Sequence, residues 1–559
     1  MSDLARDEIR LQVIWNRLLA IVEEQAQTLM RTAFSSTVRE AGDLAAGFFD
    51  PQARMVAQAV TGTPGHVNTM AASVSHFLTK IPADQLKPGD QLISNDPWHT
   101  AGHLHDLTVV APVFRHGRII GYFATCCHQV DIGGLGQGPD GRSIFEEGLQ
   151  IPVMRLVKQG RLNDELIDLM CENVRTPFEL RGDLLSYITA NESAGRHLND
   201  ALDDLGLNDL ENEAEAILSR SRIAVEEAIA RVPQGSWSHR IQLDGYDKPV
   251  TIVCQLTVGD RRVEIDYAGS DAASAYGINV VMNYCAAYTG YALKCVLAPD
   301  VPNNSGSLAP FSIVAPEGSI LNVRRPWPVS ARHLIGQMLP DAVFGCLDQA
   351  MPGQILAEGA SCNWTIQLRR GPHQAQQGAP IFDAVFFNTG GMGARPAFDG
   401  LSAVAFPSGV KAMPVEVVEH NAPIVVWRKE LRADSGGAGA MRGGLGVRVE
   451  VGARSDAPFS LLAMFERTTN AAKGRVGGAD GEVGQVMLRN SGLQLQSKGL
   501  QEIPSGEVIV FDTPGGAGYG NPLGRERASV AADIKAGLVS KEEARDQYGF
   551  QEETSRTRQ

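Results

Sequence analysis

Between Leu11 and Ile21 the apolar positions fall at helical spacing (Leu11, Ile14, Trp15, Leu18, Leu19, Ile21), which predicts one long amphipathic helix over residues 4–33. The pattern then shortens. In VREAGDLAAGFFDPQARMVAQAV (38–60) two apolar stretches flank Asp50-Pro51-Gln52-Ala53, as a hairpin requires. Residues 65–80 return to helical period. KPGD (87–90) reads as a turn, and DQLISND (90–96) and LTVVAPVF (107–114) as strands. RHGR (115–118) reads as a tight hairpin turn in which Gly117 supplies a positive φ, and RIIGYFATCCHQV (118–130) is the returning strand. Over 163–230 charged and apolar residues alternate at helical period, predicting two or three helices.

A shift in pattern follows. VTIVCQLTV (250–258) and RRVEIDYAG (261–269) flank Gly259-Asp260, a second hairpin. From about 245 to 515 the chain reads as strand and loop, with one helix expected at 283–298, and the tail 525–546 returns to helix. No internal repeat is present. These elements predict an α+β, multi-domain protein. An N-terminal helical and mixed-sheet domain (1–235) precedes a β-rich central domain (236–450) and a C-terminal β region with a terminal helix (451–559).

Composition narrows the class. At 559 residues the chain exceeds one core, so roughly two to four domains are expected. An apolar content of 43% with 20% charged residues is that of a soluble globular protein. The net charge of -14 argues against nucleic acid or an anionic membrane as partner. No apolar run approaches the roughly 18 residues of a membrane span, and the charged N-terminus has no signal-peptide core, so a cytoplasmic protein is expected. The eight cysteines form no CxxC pair and are expected to be reduced and buried. Fifty-nine glycines imply many tight turns and close backbone approaches. The glycine-rich stretches 133–141, 434–446 and 513–522 match neither GxxxxGK[ST] nor a strand-GxGxxG-helix unit, so no nucleotide site is expected in this chain.

The candidate chemistry lies in SNDPWHTAGHLHDLTVV (94–110), which holds three of the chain's twelve histidines (His99, His103, His105) together with Asp96 and Asp106. If His116-Gly117 is a two-residue hairpin loop, His128 on the returning strand faces His105. A one-residue bulge would place it opposite Asp106 instead. In either register His128 returns to the 103–106 segment, with opposed Cβ atoms ~5 Å apart, close enough for two side chains to share one metal ion. Imidazole and carboxylate together suit zinc, manganese or iron. A regular strand points His103 and His105 to one face. If the strand starts only at Leu107, His103 and Asp106 converge from a loop; periodicity by itself favours the three histidines, His103, His105 and His128. Asp131, in DIGG (131–134), either orients His128 or starts the turn. His99 and His105 are further candidates.

With these residues in view, the sequence resembles the hydantoinase B / oxoprolinase family. Its members include B subunits of N-methylhydantoinase and caprolactamase and related subunits of acetone and acetophenone carboxylases. The resemblance runs the length of the chain, through REAGDLAAGFFD (39–50), SNDPWHTAGHLHDLTVVAPVF (94–114), CCHQVDIGG (126–134), EEGLQIP (146–152), NVRTP (173–177), PVEVVE (414–419), DSGGAGAMRGGLG (434–446) and TPGGAGYGNP (513–522). It implies a metal held by His103, Asp106 and His128, with His105 second to His103. It also implies a functional Asp43 in AGDLAAG, where this chain carries glycine and alanine at positions often bulkier in relatives. Two departures stand out: Gln129 replaces the second His of a common His-His pair, and WHTAG replaces a Tyr with paired glycines. Both are expected to bear on substrate choice.

The resemblance further implies an activity. Nitrogen donation deactivates an amide carbonyl, and the family couples ring opening to ATP. A partner A-type subunit would phosphorylate the amide oxygen. The B subunit would then direct water, acidified by the metal, at the activated carbon, with a carboxylate such as Asp43 as general base. The expected protein is therefore the B subunit of an ATP-dependent cyclic amide hydrolase acting on hydantoins, 5-oxoproline or lactams. Its expected setting is a hetero-oligomer with two copies of each chain, the ATP being used by the partner. The alternatives are a subunit of an ATP-dependent ketone carboxylase and a non-catalytic scaffold for the A subunit.

Overall fold

The long N-terminal helix forms over Asp3–Thr32, and it buries Ile14, Leu18, Ile21 and Val22 along one stripe. The computed structural model describes residues 3–61, 63–375 and 378–551. Beneath that helix lies a seven-stranded sheet built from β1 (Leu44–Phe49), β2 (Met55–Gln58), β3 (Gln91–Ser94), β4 (Asp106–Arg115), β5 (Arg118–His128), β6 (Met154–Lys158) and β7 (Arg161–Leu162). Their spatial order is β2-β1-β5-β4-β3-β6-β7.

Successive strand residues face opposite sides, and both sides are covered. Leu44, Ala46, Phe48, Val109 and Phe123 pack against Asp3–Thr32 and the helix Pro177–Leu205. Ala45, Phe49, Val110, Tyr122 and Ala124 pack against the helix Pro64–Lys80. Both hairpins of this domain form as the pattern predicts, with β1 antiparallel to β2 and β4 antiparallel to β5. The predicted helical region resolves into three helices, Asp164–Glu172, Pro177–Leu205 and Glu211–Ile229.

A second sheet, in the order β11-β10-β9-β8, comprises β8 (Gly235–Leu243), β9 (Val250–Val258), β10 (Val263–Asp266) and β11 (Phe311–Val314). It shares a core with the helices Met282–Leu297 and Leu339–Ala350. The first of these was expected; the second corrects the reading of 245–515 as strand and loop around a single helix. Leu339–Ala350 buries residues on every side, from Leu339 to Leu347, so it lacks the one-sided period that marks a surface helix. The β8–β9 pairing also extends the sheet to residue 235.

Two further four-stranded sheets, β13-β12-β16-β18 and β14-β15-β19-β17, enclose one core that includes Trp364, Leu368, Val449, Leu461 and Phe511. Here β12 is Trp364–Arg370, β13 Phe382–Asn388, β14 Ile424–Leu431, β15 Val447–Ala453, β16 Phe459–Met464, β17 Gln485–Leu488, β18 Lys498–Ile503 and β19 Val508–Asp512. The tail forms two short helices rather than one, Arg527–Lys535 and Lys541–Tyr548, interrupted at Gly537, whose φ is +70°.

The glycine-rich stretches 434–446 and 513–522 lie backbone against backbone. Gly516 N donates to Gly444 O at 2.9 Å, and Gly437 N to Gly516 O at 2.8 Å. A Cβ on Gly443 would sit 1.9 Å from Gly516 O, so the close approach demands glycine there. Among the described residues no helix is long and apolar enough to cross a membrane.

Candidate metal centre

The β4–β5 hairpin sets the site. Its turn places His116 and Gly117 at φ +49° and +76°, as a two-residue loop of this hand requires. A register shift at Val113/Phe114 then brings Asp106, not His105, opposite His128. The bulged register is thus the one adopted. Because β4 begins only at Asp106, His103 reaches the same point from the preceding loop.

Asp106 Oδ1 lies 2.7 Å from His103 Nε2 and 3.0 Å from His128 Nδ1. Ligand atoms on one ion with bonds of ~2.0–2.2 Å stand about 3 Å apart, so these separations suit a shared metal. All three residues are buried, and their ligating atoms lie within 4.8 Å of one another. His103 Nε2 lies 2.7 Å from Asp106 Oδ1 without the alignment of a hydrogen bond. The opposite nitrogens are tied down: His103 Nδ1 donates to Ser330 O at 3.0 Å, and His128 Nε2 donates to Gln137 Oε1 at 3.1 Å. Such outer partners orient imidazole ligands toward a metal. The donor set, two imidazoles and a carboxylate, fits zinc, manganese or iron.

Two residues complete the site without a signal in the linear pattern. His66, in the first turn of Pro64–Lys80, places Nε2 2.9 Å from Asp106 Oδ2 and Nδ1 3.4 Å from Asp43 Oδ1. Thr63 caps that helix by accepting from Gly65 N, and Pro64 opens it. These start signals locate a helix N-terminus and nothing more. Arg332 Nη2 lies 2.5 Å from Asp106 Oδ2, its Nε donates to Ala101 O at 2.6 Å, and its guanidinium rests 4.1 Å over Tyr284. Gly102, at φ +93°, leaves room for it: a Cβ there would stand 2.8 Å from Arg332 Cδ.

The electrostatics follow from this packing. Burial opposes ionisation of Asp106, but the cationic groups facing it, His66 and Arg332, hold its carboxyl well below the usual range. Burial, reinforced by Arg332, lowers His103 to about 3, so its imidazole is neutral and able to donate a lone pair. Burial would also lower His66, but the facing Asp106 and Asp43 outweigh it and raise its pKa. Asp43, just ahead of β1, lines the same cavity of about 40 Å³ as His66, His103, His128, Gln137 and Arg332. That volume holds an ion and a water or two.

The other candidates lie elsewhere. His105 is buried with both ring nitrogens unpartnered, and its ring lies 5.4 Å from His103 and 5.6 Å from His128. Asp131 does not contact His128. It accepts from Gly133 N at 3.2 Å, within the turn, and pairs with Arg175 at 2.7 Å. His99 sits with Asp96 (3.0 Å) and His76 in a separate, partly exposed group. His76 and His99 stack at 3.5 Å with 4° between planes, so their in-plane lone pairs run parallel instead of converging. Gln129 points to the helix side of the sheet, where it donates to Tyr187 Oη at 2.8 Å.

A model of the hydantoinase B/oxoprolinase family matches residues 7–522, and the chain belongs to that family. It is 30% identical to an uncharacterized protein of Methanocaldococcus jannaschii, over 97% of this chain and 96% of that one. It is 28% identical to the caprolactamase subunit beta of Pseudomonas jessenii, over 97% and 96%. In the crystal structure of the ATP-dependent caprolactamase from that organism, a chain superimposes with a TM-score of 0.87 at 26% identity, covering 97% of this chain and 96% of that one. An acetone carboxylase structure superimposes with a TM-score of 0.86 over 98% of this chain and 80% of that one. At 19% identity it shares the fold.

Proposed function

We propose that this chain is the ring-opening subunit of an ATP-dependent cyclic amide hydrolase. Its substrate class is a hydantoin, 5-oxoproline or lactam whose carbonyl is phosphorylated by an ATP-binding A-type partner in a hetero-oligomer. The observation that carries this reading is the convergence of His103, Asp106 and His128 on the cavity that Asp43 and His66 also line. His103, Asp106 and His128 would hold a divalent ion, which would lower the pKa of water and polarise the carbonyl.

The chain's own residues have separate tasks. Asp43 Oδ1 is buried, makes no hydrogen bond and stands 3.4 Å from His66 Nδ1, so it would accept a proton from attacking water with His66 beside it. His66, between Asp43 and Asp106, would protonate the ring nitrogen as the C–N bond breaks, and a second water would then release inorganic phosphate from the acyl phosphate so formed, leaving the ring-opened carboxylate. Arg332 keeps Asp106 ionised and in place. Ser330 O and Gln137 fix the ring orientations of His103 and His128.

The test is elemental analysis of wild type and His128→Ala, with ATP turnover after reconstitution with the A-type partner. Wild type should carry stoichiometric metal and open a cyclic amide; the variant should do neither while keeping its fold. Equal metal in both sinks the ligand assignment. ATP turnover that needs bicarbonate and a ketone would mark a carboxylase, and turnover surviving in the metal-free variant would mark a scaffold.

A further inference from the structure

EEGLQIP (146–152) is among the stretches that carry the family resemblance, yet none of its side chains lines the cavity. Glu147 is nevertheless a buried carboxyl that makes no ion pair among the described residues. Its Oε1 accepts from the backbone N–H of Val329 at 2.7 Å and of Ser330 at 2.9 Å. Oε2 has no hydrogen-bond partner. The walls around it are closed: a Cβ on Gly277 would stand 3.1 Å from Oε1, and one on Gly141 3.3 Å from Cγ.

The turn that Glu147 clamps is the one that reaches the site. Ser330 O accepts from His103 Nδ1 at 3.0 Å, and two residues on Arg332 pairs with Asp106. The backbone of the segment adds Ala331 N to Gly277 O at 2.7 Å and Arg332 N to Val329 O at 3.0 Å. A carbonyl oxygen only accepts, so a ring that carries one proton carries it on Nδ1, facing Ser330 O. The lone pair then sits on Nε2, the atom 2.7 Å from Asp106 Oδ1.

We propose that Glu147 is a positioning residue: by holding the Val329–Ser330 amides it keeps the Ser330 carbonyl where it fixes His103 as the Nδ1–H tautomer, with Nε2 presented to the ion. The consequence for metal affinity rests on the proposed metal reading of the triad; the tautomer does not.

Three variants of the full chain test it. Glu147→Gln keeps the acceptor oxygen, Glu147→Asp withdraws it by one methylene, and Glu147→Ala removes it. Long-range ¹⁵N–¹H correlation on histidine-labelled protein, assigned by the signals lost in His103→Asn, reports the tautomer. Competitive chelator titration with zinc reports affinity. His103 should be the Nδ1–H form in wild type and Glu147→Gln. In Glu147→Asp and Glu147→Ala that form should give way to a mixture, with zinc bound about 10- to 100-fold more weakly, the usual effect of losing an outer-sphere partner. If Glu147→Ala does not fold, Glu147→Asp against Glu147→Gln decides. An unchanged tautomer in Glu147→Asp overturns the proposal, as does its loss in Glu147→Gln. A tautomer shift in protein that binds no zinc even as wild type would uphold the positioning role and remove the metal reading instead.

Discussion

Asp43 is the residue on which the chemistry turns. Its backbone already has structural partners, with Asp43 N donating to Thr37 O and Asp43 O accepting from His128 N. Its side chain faces the cavity with Oδ1 unbonded. Asp43→Asn preserves shape but removes the basic oxygen. Turnover of the reconstituted complex is expected to fall by roughly 10²-fold or more, the range for general-base loss, with metal content and thermal midpoint near wild type. Near-normal turnover would leave the site without this base. Glu147 makes a different prediction, through pH. Burial raises its carboxyl from 4.5 to about 8. The folded chain therefore binds this proton more tightly than the unfolded chain does. The resulting stability is complete below pH 4.5 and is lost as pH rises through about 8. Wild-type thermal midpoints should decline across that window more steeply than those of Glu147→Gln, which cannot titrate. Parallel curves would refute the assignment.

At the scale of elements, the β4–β5 hairpin and the helix Leu339–Ala350 show where local pattern suffices. The hairpin was legible because alternation, turn chemistry and loop length all act over neighbouring residues. Which of its two registers forms was not, because the shift at Val113/Phe114 leaves no mark in composition. Leu339–Ala350 was invisible for the opposite reason: from Leu339 to Leu347 it is buried on every side, so little on it contrasts with solvent. Phe344 in this helix is fully buried against the β8–β11 sheet region. Phe344→Ala should cost about 3–5 kcal/mol, as for other large aromatic truncations in cores. Denaturant unfolding checks this, and a loss below ~1 kcal/mol would mean that the helix packs less tightly than the structure has it.

For the molecule as a whole, the proposed division of labour predicts that this chain alone neither binds nor hydrolyses ATP appreciably. The glycine-rich stretches 434–446 and 513–522 bond to one another's backbones, as Gly516 N does to Gly444 O and Gly437 N to Gly516 O. Calorimetric titration of the isolated chain with Mg-ATP should show no micromolar site, and activity should appear only with the A-type partner. Tight binding by the chain alone would overturn that division.

His103, Asp106 and His128 were within reach of sequence because one hairpin and a spacing of three positions bring them together. The choice between His103 and His105 came from family resemblance, since strand periodicity alone pointed to His105 as well. His66, Arg332 and Glu147 had no comparable signal. Arg332 lies 226 residues from Asp106 along the chain, and only the packing of the central core against the N-terminal sheet delivers it. The N-terminal elements, the two hairpins and the local donors could be read from the chain, because periodicity, turn preference and hairpin pairing are short-range. Tertiary structure alone decided which buried charges face those donors, because a salt bridge or a positioning carbonyl depends on distance in space and leaves no period in the chain.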